Sequence, residues 1–176
     1  MTGEATRADA VTPSPVVVMG VSASGKSSVA IELAALRGVA FVDADDLHPA
    51  ANVAKMTAGM ALDDADRWPW LDAVGGVLSS STGVVVACSA LKRAYRDRLR
   101  AMAPGVLFVH LHGAHELLAT RAAARSGHFM PPQLLRSQLV TLEPLEGDEA
   151  GMELDVDAPV TVIARTALEW WEAHER

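Results

Sequence analysis

Cysteine is almost missing from this chain: its 176 residues include one, Cys88. A single thiol closes no intrachain bridge, so a disulfide framework is excluded and a reducing, cytoplasmic setting is the expectation. Cations are in deficit too. Lys and Arg number 15 against 22 Asp and Glu, a formal net charge of −7. That balance repels nucleic acid and anionic membrane unless basic residues cluster, so neither is an expected partner. Long apolar runs are lacking as well: none reaches the roughly 20 residues of a membrane span. The opening MTGEATRADAVTPSP carries acids and prolines where a secretory leader has a basic and then an apolar stretch. Residues 1–14 are therefore expected to form a flexible tail. There is no internal repeat and no low-complexity tract.

What the chain does have is apolar content. Half of its residues are hydrophobic and 21% are charged, enough for one self-sufficient core over residues 15–176, since a chain of this size buries roughly 70% of its unfolded surface. Short apolar runs alternate with longer stretches of helical period. Strands are predicted at 16–20 (VVVMG), 39–43 (VAFVD), 84–88 (VVVAC) and 106–111 (VLFVHL), with a weaker fifth at 152–156. They lack polar alternation, which predicts a parallel sheet covered on both faces. Helices are predicted at 27–36, 50–57, 66–78, 94–102, 115–125, 132–142 and 159–172. The fold class is thus α/β, three layers around a mostly parallel five-stranded sheet.

Gly20-Val21-Ser22-Ala23-Ser24-Gly25-Lys26-Ser27 fits G-x-x-x-x-G-K-[ST], directly after the first strand and at the start of a helical pattern. Such a loop turns successive N–H groups inward and adds the positive end of a helix, which together hold phosphate oxygens. In that reading Lys26 reaches the terminal phosphates and Ser27 offers its hydroxyl to Mg²⁺. The cradle points to a nucleoside triphosphate and does not say what is done with it.

Ligands of open α/β sheets bind beyond the carboxyl ends of strands. After the second strand come Asp43, Asp45, Asp46 and His48; after the third come Lys92, Arg93, Arg96, Arg98 and Arg100. One carboxylate can bias a metal while another accepts the proton of an attacking hydroxyl. On an extended strand end Asp43 and Asp45 point the same way. A solvated acidic turn looks similar, and an N-cap alone accounts for at least one acid. Arg67 sits among acids and two tryptophans, Trp68 and Trp70, read mainly as core anchors. Arg121 and Arg125 share a helix face that runs into residues 126–131 (SGHFMP), a mobile-loop candidate, so a lid around 121–135 is the expectation.

Together these residues resemble the small P-loop gluconate kinases, relatives of shikimate and nucleoside monophosphate kinases. The likeness runs from Val16 over nearly the whole chain. It is carried by GVSASGKSS, DADDLHP, NVAKMTAGMALDDADRWPWL, CSALKRAYRDRLR, RSGHFMPPQLLRSQ and LEP. Ala44 and Ala23 depart from the usual glycines, both by a small change. The resemblance implies ATP-dependent phosphorylation of D-gluconate at its terminal hydroxyl, with ATP and Mg²⁺ as cofactors and a homodimer as the common assembly. It implies Asp45 as base, Lys26 and Arg125 stabilising transfer, and Ser27 with Asp43 at the metal. ATP would be held by residues Gly20 through Ser28, including Ser28 itself, and by Arg121. Asp45, His48, Lys55, Arg67, Lys92 and His128 would face the substrate. The alternatives are a P-loop kinase for another acceptor, such as shikimate, and a non-catalytic nucleotide-sensing module.

Overall fold

The structure, a computed structural model, describes residues 12–124 and 132–176. Among them, five strands and seven helices follow in the order β1 (Val16–Met19), α1 (Lys26–Arg37), β2 (Ala40–Asp43), α2 (Ala50–Thr57), α3 (Asp64–Ser80), β3 (Val84–Ala87), α4 (Arg93–Met102), β4 (Leu107–His112), α5 (His115–Ala124), α6 (Pro132–Thr141), β5 (Gly151–Asp155) and α7 (Val160–His174). A 3-10 turn, Ala44–Leu47, lies between β2 and α2. The strand order is β2-β3-β1-β4-β5, and every pairing is parallel. The sheet is thus parallel throughout, where the sequence suggested mostly so.

The absence of alternation in the strand sequences has a direct cause. All four residues of β1 are buried, but they serve two different cores. Val16 and Val18 pack with Val29 and Leu33 of α1 and with Ile163 and Trp171 of α7. Val17 and Met19 pack with Leu71 and Val74 of α3 and with Tyr95 and Leu99 of α4. A strand covered on both sides has no solvent face to mark with polar residues. Each fully buried Val or Leu contributes about 1.5–3 kcal/mol by leaving water.

Local chemistry sets the helix ends. α1 stops at Gly38, whose left-handed φ of 73° lets its N–H return to the carbonyls of Ala34 and Ala35. α3 begins two residues before the predicted Asp66. The Asp63 carboxylate accepts the Asp66 N–H at 2.9 Å, and the Asp66 carboxylate accepts the Asp63 N–H at 3.1 Å. That reciprocal pair fixes the start of a helix that continues through Pro69. At the chain ends, Glu175 accepts the Ser14 N–H at 2.8 Å and the Arg37 guanidinium at 2.6 Å. Residues 1–11 of the expected tail lie outside the described residues. No helix among the described residues is long and apolar enough to cross a membrane.

Candidate active site

The loop between β1 and α1 is shaped by close approach. Gly20 has φ +143°, and a Cβ there would lie 2.5 Å from the Leu111 carbonyl oxygen, so no larger residue fits. Ala23 and Gly25 also have positive φ, 64° and 85°; for Ala23 that costs roughly 1–2 kcal/mol. Lys26 donates to the Val21 carbonyl at 3.0 Å, folding its ammonium back over the loop. The Ser22 N–H donates to the Gln138 side chain at 2.7 Å. Ser24 is 1% exposed and its hydroxyl has no hydrogen-bond partner among the described residues. A buried hydroxyl without a partner is costly, and at this place it fits a phosphate-binding loop.

Beside the loop opens a cleft of about 230 Å³, lined by Ala23, Ser24, Gly25, Ser28, Val29, Arg121, Val156, Ala158, Val160 and Ile163. Arg121 is held at its edge by donating to the Val156 carbonyl at 2.8 Å. The mixed wall, apolar on the α7 side and amide-rich on the cradle side, suits a flat base joined to phosphates. Val156, Ala158, Val160 and Ile163 were not singled out from sequence. Their signal is positional, since they follow the carboxyl end of β5. Arg125 and His128, with the rest of segment 125–131, lie outside the described residues.

The acids after β2 are organised differently from the sequence expectation. Asp43 ends the strand, and its carboxylate accepts the Ser27 hydroxyl at 2.8 Å through Oδ2 and the Asp45 N–H at 3.1 Å through Oδ1. Asp43 therefore caps the 3-10 turn that contains Asp45. The two acids do not share a strand face, because the chain leaves the extended conformation between them. Asp45 and Asp46 are exposed. The Cys88 thiol, just past β3, reports what converges there. Burial pushes it up to about 12; the Ala90 N–H opposes this, and the charges of Asp45, Lys26 and Asp43 all reach it. The cradle lysine and both acids thus lie within electrostatic reach of this buried thiol.

The remaining candidates gather around the start of α3. His48 stacks on Trp70 at 4.4 Å between ring centroids, and Trp70 is fixed by its indole N–H on the Ala44 carbonyl at 2.6 Å. Burial lowers the His48 pKa, Asp45 opposes that, and Arg67 adds to it. Asn52, buried, donates to the Asp66 carbonyl at 2.8 Å and contacts His48 Nδ1 at 3.3 Å. Lys55 grips both oxygens of Asp66 at 2.6 and 2.8 Å. Lys92 grips Asp64 at 2.9 and 3.0 Å. The hydroxyl of Tyr95, the single tyrosine, donates to Asp64 at 2.5 Å and accepts from Arg67 at 3.2 Å. The Tyr95 hydroxyl and then Lys92 hold the Asp64 carboxyl below its usual range. Of the two tryptophans, Trp70 is a core anchor, whereas Trp68 is 37% exposed.

The structure therefore brings Lys26, Ser27, Asp43, Asp45, His48, Lys55, Arg67 and Lys92 to one end of the sheet, with Arg121 at the cleft beside it. It does not bring the other α4 cations there. Arg93 pairs with Asp97, Glu146 and Asp148; Arg98 pairs with Asp72, and Arg100 with Asp97. Arg96 is fully buried on Glu149. Asn52, Asp64, Asp66 and Tyr95 belong to the network without having been assigned to it from sequence.

Comparison with known proteins follows the same lines. The AAA domain family matches residues 16–145. The thermosensitive gluconokinase of Escherichia coli (strain K12) is 46% identical over 161 residues, covering 86% of this chain and 86% of that protein. The crystal structure of a gluconokinase from Sinorhizobium meliloti 1021 superposes with a TM-score of 0.87 at 50% identity, covering 93% of this chain and 94% of that one. A shikimate kinase from Acinetobacter baumannii shares the fold alone, with a TM-score of 0.60 at 18% identity.

Proposed function

Because the chain belongs to the gluconokinase family of P-loop kinases, we propose that it transfers the terminal phosphoryl group of ATP to the terminal hydroxyl of D-gluconate, giving 6-phosphogluconate and ADP. The observation that carries this reading is the Asp43 carboxylate at the end of β2, which accepts both the Ser27 hydroxyl of the cradle and the Asp45 N–H and so joins the phosphate loop to the acid turn.

In this reading the loop of Gly20 to Ser28 binds the polyphosphate through those amides not already held within the protein, as the Ser22 amide is by Gln138, and through the Ser24 hydroxyl, and the cleft at Arg121 takes the adenine. Lys26 leaves the Val21 carbonyl for the terminal phosphate and stabilises the charge that spreads over it in transfer. Arg125 adds a second cation from the sequence motif. The Ser27 and Asp43 oxygens suit Mg²⁺, a hard ion held by few protein ligands. When bound, Mg²⁺ neutralises charge on the phosphate oxygens. Asp45 accepts the proton of the attacking hydroxyl. Arg67 and Lys92, already close to Tyr95 and Asp64, meet the carboxylate of the sugar acid; His48, Lys55 and His128 bind its hydroxyls.

The reading includes a cytoplasmic setting and a homodimer of single-domain subunits, the latter checked by light scattering. Its principal test is a coupled ADP-release screen with Mg²⁺ and ATP across D-gluconate, other aldonic acids, shikimate and nucleoside monophosphates. Gluconate is expected to give the highest kcat/KM. Turnover of shikimate or a nucleotide with gluconate inert would reject the assignment.

A further inference from the structure

We propose that Gln138 is a positioning residue for phosphoryl transfer, one that holds the Ser22 amide of the cradle and ties α6 to the phosphate end of the site. The inference rests on the reading of residues 20–27 as an ATP cradle.

Positions 135, 138, 139 and 142 share one face of α6 and its C-terminal end. Leu135, Leu139 and Leu142 on that face pack into the apolar core beneath α1 and α5. Gln138 is the polar member of the stripe, half-buried, and hydrophobic burial does not account for it. Its Oε1 accepts the Ser22 N–H at 2.7 Å across 116 positions of sequence. A backbone N–H can be met only by the oxygen of a side-chain amide. The orientation of the Gln138 amide is therefore set by the cradle, and its two Nε2 donors meet no acceptor among the described residues. An anionic phosphate in the cradle is the acceptor that this place offers.

The chain just past the C-terminal end of α6 is fixed as well. The Glu143 N–H donates to the Leu91 carbonyl at 2.8 Å, and the Glu143 carboxylate accepts the Arg93 N–H at 2.5 Å. The helix thus spans two walls of the site: the cradle through Gln138, and the loop leading to Lys92 through Glu143. Releasing the Gln138 contact would free the cradle wall while leaving the other in place. Misplacement by about 1 Å at a transfer site costs on the order of 100-fold in rate.

The test compares Gln138→Ala and Gln138→Glu with the wild type by steady-state kinetics, by thermal melting, and by calorimetric titration with ADP and a non-hydrolysable ATP analogue. Q138E keeps an acceptor for Ser22 and replaces both donors with negative charge. For Q138A, kcat is expected to fall about 10- to 100-fold, with the KM for gluconate within about twofold and melting nearly unchanged. For Q138E, melting is expected to hold while affinity for the triphosphate analogue falls more than affinity for ADP. Wild-type kcat in Q138A would overturn the proposal. So would a Q138E protein that binds ADP and the analogue with equal loss, because the residue would then act on packing and not at the transferring phosphate. A wild-type protein that binds neither nucleotide would instead overturn the cradle reading itself.

Discussion

Asp43 uses both carboxylate oxygens on the protein, one for the Ser27 hydroxyl and one for the Asp45 N–H. It thereby sets the direction of the two residues on which the proposed chemistry turns. Two outcomes follow at this scale. Lys26→Ala is expected to lower kcat about 100- to 1,000-fold with little change in melting, as for loss of one donor to transition-state charge; unchanged turnover would refute its role. Asp45→Asn is expected to lower kcat about 100- to 10,000-fold, the range of a general base, with ATP affinity preserved. If titration shows that ATP affinity falls and kcat does not, Asp45 serves the nucleotide and the base lies elsewhere. Lys26, Ser27 and Asp43 were legible because a fixed spacing after an apolar strand announces them. Asn52 and Tyr95 were not, because a buried amide and a phenol acquire meaning only from neighbours that are 14 and 31 residues away.

At the scale of elements, the α4 segment shows where reading charge by position goes astray. Five cations in nine residues suggested a substrate-facing patch, yet Lys92 alone among them reaches the acids at the start of α3. Helical period gives the face of a side chain and says nothing of its partner, and the partners here lie on α3, on α4 itself and in the segment between α6 and β5. Arg96 is the extreme case. Its guanidinium binds the carbonyls of Ala90, Leu91, Glu143 and Pro144 and both oxygens of Glu149. Against the burial that pushes Glu149 up, Arg96 and the Glu146 N–H hold its carboxyl below the usual range. This hub fixes Ala90 in its left-handed turn, φ 43°, and so the approach to Lys92. Arg96→Ala leaves a buried carboxylate without its cation and is expected to cost about 3–5 kcal/mol in chemical denaturation. A loss under 1 kcal/mol would show that the pair is dispensable. The start of α3 was misplaced for a related reason: Asp63 and Asp66 cap each other, whereas the usual signature carries Ser or Thr and then Glu.

For the whole molecule, the strand set and the layered α/β class could be read from apolar runs, but the order β2-β3-β1-β4-β5 could not. The inner strands β1, β3 and β4 are largely buried, whereas the edge strands β2 and β5 are partly exposed. The apolar run of β2 nevertheless reads in sequence like that of a central strand, so centre and edge are not told apart until the crossovers are known. Packing also sets the response to acid. Burial lowers the pKa of His48 and of His110, with Glu153 opposing at His110. Between the lowered folded values and the ordinary 6.5, the unfolded chain binds more protons than the folded one. Stability from these groups is therefore full above pH 6.5 and is lost as pH falls toward the folded values. Melting is expected at lower temperature at pH 5.5 than at pH 7.5, with a flatter dependence in His110→Asn; a rise on acidification would contradict the assignment. The most direct test of the central claim is ³¹P NMR of the wild-type protein with Mg²⁺, ATP and D-gluconate. The account predicts equimolar ADP and a phosphate ester at the terminal carbon of gluconate. ATP left intact in the presence of gluconate, while shikimate or a nucleotide is phosphorylated by the same preparation, would contradict it.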